Sequence, residues 1–251
     1  MINPIIFKIG SLEIRWYGLI MALAFLIGSL IAVKLGKKRN LNKDQVYDFL
    51  IYLIPFSILF ARLFHVFVYN FSYYTSNPIQ IFQIWKGGVS LFGGLFGALI
   101  AAIIYSKVKK VPLLNLADVF IIPLSFGIIF GRIGNFINQE LYGKITNLPW
   151  AMKFDNVEGL RHPTQIYEAL GHLIIFLVLI FIWKKSPRKG VIFYIFLILY
   201  STFRFFMEFL REGDILIFKL TTTQLIIVPI ILISFFLLLR LKKENLLNTV
   251  I

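Results

Sequence analysis

The sequence predicts an all-α polytopic membrane protein of seven transmembrane helices, and three observations carry that prediction. Of its 251 residues, 59% are hydrophobic and 15% charged, against roughly 45–50% and about 25% in a soluble domain. The mean hydropathy is +0.82. Seven apolar stretches are spaced along the whole length. So few charges cannot cover a water-facing surface of this size, which excludes a soluble globular enzyme. The length fits one integral-membrane domain over residues 1–251, each crossing needing about 20 apolar residues for about 30 Å of hydrocarbon. The chain has no cysteine, so disulfides, thiolate metal sites and a cysteine nucleophile of its own are excluded. His65, His162 and His172 lack tight ligand spacing, so neither a metal nor a cofactor is expected.

Helix one is predicted over Ile14–Leu35. Lys8, Glu13 and Arg15 precede it in place of a basic leader, and no small-residue cleavage site follows, so it reads as a retained span. Helix two covers Tyr47–Tyr69, with Arg62, His65, Tyr69 and Asn70 sharing one face. Helix three is Val89–Tyr105, and Leu116–Phe130 is the fourth and shortest. Helix five, Ile166–Trp183, is opened by Thr164 as predicted N-cap, with Glu168 in the first turn where the dipole favours an acid. Val191–Phe209 and Gln224–Leu241 complete the set. The longest connection, 131–165, is predicted to be a small extracytoplasmic segment.

Positive charge assigns the sides. Lys34, Lys37, Lys38, Arg39 and Lys43 follow helix one, and Lys107, Lys109 and Lys110 follow helix three. Lys184, Lys185, Arg188 and Lys189 follow helix five, and Arg240, Lys242 and Lys243 end the chain. These fifteen stand against nine on the other side: Lys8, Arg15, Lys86, Arg132, Lys144, Lys153, Arg161, Arg211 and Lys219. Because Lys and Arg collect in cytoplasmic loops, the N-terminus is expected outside and the C-terminus inside. Orientation accounts for most of the +14 net charge, and no nucleic-acid partner is needed. The cations outside run against that bias, where anionic lipid head groups would face them.

The chemistry-bearing residues concentrate on that side. Gly131-Arg132-Ile133-Gly134-Asn135 and the following Asn138, Gln139, Glu140 and Gly143 start where helix four is predicted to end. Glycines permit close backbone approach, and Arg offers a planar fork matched to phosphate oxygens. The structural alternative is helix packing through the Gly127/Gly131 pair. Tyr200, Arg204, Glu208 and Arg211 fall within about 80° on a helical wheel. Ionisable groups inside a membrane helix usually face a cavity or one another, so this stripe is either a polar cavity wall or an Arg204–Glu208 pair with Arg211 snorkelling. Arg62 is a third candidate, with helix-end carbonyls as its structural alternative. His162 is a candidate base in a mainly capping segment, and His172 reads as a packed, neutral histidine. Trp16 and Tyr17 read as belt aromatics.

Gly131–Gly143 resembles the signature of the bacterial prolipoprotein diacylglyceryl transferases, Gly-Arg-x-Gly-Asn-Phe-x-Asn-x-Glu-x-x-Gly. Arg15–Gly18, His162–Glu168 and the Tyr200/Arg204/Glu208/Arg211 stripe are similar to further motifs of that family, in its order. The resemblance implies transfer of the diacylglyceryl group from phosphatidylglycerol to the lipobox cysteine thiol of a preprolipoprotein, releasing glycerol 1-phosphate. It also implies a multi-pass enzyme of the bacterial cytoplasmic membrane whose site opens to the extracytoplasmic face.

By motif and chemistry together, Arg132 and Arg204 are expected as phosphate clamps. Asn135, Asn138 and Glu140 are expected to hold the head group or orient Arg132, with Gly143 in the same binding segment. Glu208 is expected to orient Arg204, Tyr17 and Tyr200 to donate hydrogen bonds, and Arg211 to stand behind them. One position departs from the family pattern: Phe92 precedes Gly93-Gly94 where a His is usual. Phe accepts no proton, which leaves the positive field of the arginines or His162 to generate the thiolate. The rival expectation is a non-catalytic anionic-lipid-binding membrane protein or a transporter.

Overall fold

The computed structural model describes residues 3–10, 12–155, 157–212, 215–217 and 220–248, so Lys219 lies outside the described residues. The side chains of Lys242 and Lys243 are likewise outside the description. Among the described residues, seven helices are long and apolar enough to cross a membrane. In chain order they are α1 (Trp16–Gly36), α2 (Lys43–Phe64), α4 (Leu91–Lys109), α5 (Leu113–Ile137), α6 (Thr164–Lys184), α7 (Val191–Met207) and α8 (Thr222–Asn248). The short helix α3 (Phe71–Ser76) lies between α2 and α4. The described residues also form three two-stranded antiparallel hairpins: β1 (Ile5–Ile9) with β2 (Leu12–Arg15), β3 (Met152–Lys153) with β4 (Leu160–Arg161), and β5 (Ile215–Ile217) with β6 (Leu220–Thr221).

Two expectations need correction. The fourth span is not the short one: α5 runs on to Ile137, so the first half of the glycine-rich signature is helical and Arg132 sits inside the helix. Helical glycines cost only about 1 kcal/mol each, and Gly134 gives space that a neighbour uses. Thr164 is not an N-cap either. It is the first residue of α6, and its hydroxyl donates to the Leu141 carbonyl at 2.9 Å.

By internal contacts the chain divides into two compact units, Val33–Ala117 and the remainder. Within the first unit, α2 begins with a capping box in which Asn42 and Gln45 exchange side-chain-to-backbone bonds of 2.8 and 3.0 Å. α2 packs on the Gly93, Gly97, Ala101 and Tyr105 face of α4, all four buried. A Cβ at Gly93 or Gly97 would run into the carbonyl of Phe60 or Phe56, so only glycine lets the helices approach this closely. Tyr105 closes the far end by donating to the Gln45 carbonyl at 2.8 Å.

Arg62 proves structural. It is 5% exposed and donates to the carbonyls of Gln80, Ile81, Gly87 and Gly88, with its guanidinium over the Tyr74 ring. One buried cation thus organises the backbone between α3 and α4.

The second unit holds the start of α1, most of α5, and α6, α7 and α8. Buried Asp118 on α5 accepts from the amides of Gly190 and Phe193 at 2.8 and 3.0 Å, supplying the cap that the start of α7 lacks. α6 buries one face through Gln165, Glu168, Ala169, His172, Ile175, Leu179 and Trp183. Its opposite face shows Leu170, Ile174, Leu177 and Phe181 at 56–63% exposure, as a lipid-facing surface does. Thr164, Gln165, Glu168 and His172 of α6 therefore all point inward, toward the end where α5 and α7 finish.

Candidate active site

A single buried carboxylate organises this end of the second unit. Glu168, 1% exposed, stands on α6 with guanidiniums from three other positions around it. Arg132 of α5 brings its Nε to 2.5 Å, Arg211 its Nη1 to 3.1 Å and Arg204 of α7 its Nη1 to 3.4 Å. Arg204 is also held by Glu208, one turn on, at 2.7 Å, and Glu208 accepts from the Thr221 hydroxyl at 3.1 Å. Thr221 in turn exchanges bonds with Gln224, whose amide donates to the Phe205 carbonyl. The cluster holds three cations against two anions, a net charge of +1.

The arginine side chains keep 16–18% exposure, so their outer edges remain reachable. The ion pair of Arg132 runs through Nε, and among the described residues its two Nη groups make no hydrogen bond. Burial lowers the affinity of Arg211 for its proton, and Glu168 opposes the shift; an arginine stays charged regardless. Such a site suits an anionic group arriving at the open edge, where donors are already aligned.

The signature segment wraps this cluster, and its Leu141 carbonyl accepts from Arg211 Nη1 at 3.4 Å. After α5, Asn138 and Glu140 return their amides to the carbonyls of Gly134 and Asn135, and Gln139 and Leu141 adopt positive φ of 58° and 61°. The Glu140 carboxylate accepts from the Asn135 and Asn138 amides at 2.7 and 3.4 Å. The ion-pair partner of Arg132 is thus Glu168, while Asn135, Asn138 and Glu140 bond to one another within the turn. Gln165 donates to the Glu140 carbonyl at 2.7 Å, tying the turn to α6.

Gly143 sits where three chain segments meet. Its amide donates to His162 O, and a Cβ there would lie 2.5 Å from Leu210 O and 2.7 Å from Thr164 Cγ2. Arg161, buried, braces the same segment by donating to Glu212 and to the Gly143 carbonyl, with its guanidinium over the Tyr142 ring.

The remaining expected residues spread around this core. Tyr17 lays its ring on Gly134, where a Cβ would stand 2.6 Å from Cδ2. Tyr200 lies a turn before Arg204 with its ring 5.4 Å from His172. His162 is drawn to Tyr167, Nδ1 to hydroxyl 3.4 Å, and among the described residues makes no bond to the arginines. The Gly127/Gly131 pair does not serve helix packing: a Cβ at Gly127 would meet nothing within 4 Å, and one at Gly131 only Met21 Sδ at 3.8 Å. Around this site the buried atoms Asn138 Oδ1, Gln165 Oε1 and His172 Nδ1 make no hydrogen bond among the described residues, and neither do Glu168 Oε2 and Glu208 Oε2, which are held by the ion pairs to Arg132 and Arg204 alone.

Sequence reasoning underrated Glu168, reading it as a helix-dipole acid. The signal was present: Gln165, Glu168 and His172 form a polar stripe at helical spacing in an otherwise apolar span. Among the described residues no group of three or more His, Asp or Glu is arranged to hold a metal.

The fold and site together define a polytopic membrane protein with a net positive cluster of arginines and glutamates at one end of a group of helices. Comparison with known proteins makes this specific. The sequence profile of the family described as Prolipoprotein diacylglyceryl transferase matches residues 4–240. Three relatives are each named phosphatidylglycerol--prolipoprotein diacylglyceryl transferase. The protein from Finegoldia magna is 36% identical over 96% of this chain and 97% of its own length. That from Geobacter sulfurreducens is 40% identical over 85% and 84%, and that from Pseudoalteromonas translucida 42% over 85% and 81%. The chain belongs to the prolipoprotein diacylglyceryl transferase family.

Proposed function

We propose that this chain transfers the diacylglyceryl group of phosphatidylglycerol to the lipobox cysteine thiol of preprolipoproteins, and that the arginine cluster is where it does so. The observation that carries the assignment of the site is the pair of unpartnered Nη groups on Arg132 beside Arg204, on a net positive centre. In the reaction the cysteine sulfur forms a bond to the glycerol carbon of the diacylglyceryl unit. The bond from that carbon to the phosphate oxygen breaks, and its electron pair leaves with glycerol 1-phosphate. The thiol proton passes to solvent or to the departing phosphate.

Charge grows on the phosphate as the bond breaks, so donors aimed at its oxygens stabilise the transition state more than the ground state. Arg132 presents a two-pronged donor and Arg204, steadied by Glu208, a second cation. The orphaned Asn138 Oδ1 and Gln165 Oε1 are acceptors suited to the glycerol hydroxyls, since buried polar atoms are rarely left unpaired. Tyr17 and Tyr200 stand ready as hydroxyl donors. Gly143 contributes by holding the loop in place.

The thiolate arises in the positive field of the arginines. Phe92, 51% exposed at the start of α4, accepts no proton, and His162 is engaged with Tyr167. A cysteine thiol with a reference pKa of about 8.5 needs only a modest downward shift to react near neutrality. The charge distribution supports an extracytoplasmic N-terminus, a cytoplasmic C-terminus and a site facing outward from the bacterial cytoplasmic membrane.

The test is direct. Purified protein given head-group-matched, acyl-labelled phosphatidylglycerol and a lipobox peptide should move label to the peptide cysteine and release glycerol 1-phosphate. Binding of the lipid with no labelled peptide would replace the reading by that of a lipid-binding protein or transporter.

A further inference from the structure

We infer that Glu168 is the positioning residue of the reaction: a built-in anion that holds Arg132, Arg204 and Arg211 in the phosphate-receiving geometry and restrains how tightly they bind the lipid before it reacts. The inference rests on the reading of Arg132 and Arg204 as the phosphate site, and it adds a residue that never touches substrate.

Three features of the contact support it. First, Arg132 meets Glu168 Oε2 at its inner nitrogen, Nε, as an ion pair without a hydrogen bond. A carboxylate on that side anchors the guanidinium by charge and leaves the outer Nη pair presented, whereas a carboxylate across Nη1 and Nη2 would have used up the fork. Secondly, one oxygen serves two cations: Oε1 accepts from Arg204 and Arg211 together, while Oε2 faces Arg132. Three guanidiniums on separate positions thereby share one reference point, and their mutual spacing follows from it. Thirdly, Glu168 is 1% exposed on the inner face of α6, between Gln165, bonded to the signature turn, and His172, whose ring is tilted against Tyr200. It moves with the scaffold and not with solvent.

The charge balance predicts an unusual kinetic signature. Glu168→Gln raises the net charge of the cluster from +1 to +2 while loosening the guanidiniums. An anionic lipid should then bind more readily in the ground state, yet the donors no longer converge on the transition state. Such a residue governs the split between uniform and differential binding. A residue that only stabilises the fold would change neither KM nor kcat once activity is corrected for folded protein.

The experiment measures kcat and KM for phosphatidylglycerol in detergent micelles at fixed peptide, with folded fraction read by size exclusion, for the wild type, Glu168→Gln, Glu168→Asp and the benchmark Arg132→Lys. Glu168→Gln should lose at least tenfold in kcat while KM falls severalfold. Glu168→Asp keeps the charge and withdraws the carboxylate by one methylene, so kcat should fall with KM unchanged; it stands in if the Gln variant folds poorly. Wild-type kcat in Glu168→Asp, or a raised KM with unchanged kcat in Glu168→Gln, overturns the inference. An Arg132→Lys variant as active as the wild type would instead overturn the phosphate-site reading on which it rests.

Discussion

Replacing Arg132 by Lys isolates the fork from the charge. The guanidinium uses Nε for Glu168, 2.5 Å away, and keeps both Nη groups free. An ammonium has no such division of labour. It either stays with Glu168 and abandons the phosphate, or reaches the phosphate and releases Glu168. Two charge-assisted bonds to the departing phosphate are lost on the first course, at about 1.5–3 kcal/mol each. The sum, about 3–6 kcal/mol, corresponds to a loss of about 10²–10⁴-fold in turnover at tenfold per 1.4 kcal/mol. Folding should be spared, because Lys can still neutralise Glu168 and the side chain is 18% exposed. The assay is lipid transfer to a lipobox peptide in detergent, with thermal unfolding measured on the same preparation. A rate within tenfold of the wild type, or a loss that follows the folded fraction, would refute the reasoning.

Other expectations follow from the same geometry. His162→Gln should change the rate less than threefold, and the wild-type rate should rise with pH until the substrate thiol is ionised; Phe92→His should flatten that rise between about pH 6 and pH 8, where imidazole titrates. A His162→Gln enzyme with under about 1% activity at every pH, a loss of the size a general base usually contributes (about 10²–10⁴-fold), would return the proton to His162. A cytoplasm-only reporter fused after residue 251 should be active and one placed between Asn147 and Pro149 silent, and the reverse pattern would put the site on the other face. Gly97→Leu should prise α2 from α4, because its side chain must displace the backbone at Phe56; a loss of several kcal/mol would appear as reduced folded yield, and a wild-type melting curve would contradict the packing. Glu13 lies between Lys8 and Arg15, and its bonds to Lys8 first and Arg15 second hold its carboxyl below the ordinary range. A lowered folded value means the pairs support the β1–β2 hairpin above the ordinary carboxylate pKa and cease to as pH falls through the lower one, so amide exchange in Ile5–Ile9 should accelerate only at acid pH.

Much was legible without coordinates because a bilayer imposes a simple rule. Every spanning segment must satisfy its own backbone and present apolar side chains, so seven helices, with ends mostly within a few residues, follow from hydropathy alone. The family follows from the signature, and the Arg204–Glu208 pair from helical spacing. What the chain could not reveal is which charges face each other from different helices. Spacing places Arg204 and Glu208 together because they share a helix, but nothing local says that Arg132 on α5 and Arg211 beyond α7 converge on Glu168 of α6. The same limit made the signature look like a loop, since a run of Gly and Asn signals a turn unless a partner such as the Tyr17 ring needs the space over Gly134. It also left Arg62 undecided until the carbonyls of Gln80, Ile81, Gly87 and Gly88 were seen around it. Local pattern determines where helices form and which of their faces are polar; only tertiary packing decides which buried charge answers which, because that choice depends on distances between segments far apart in the chain.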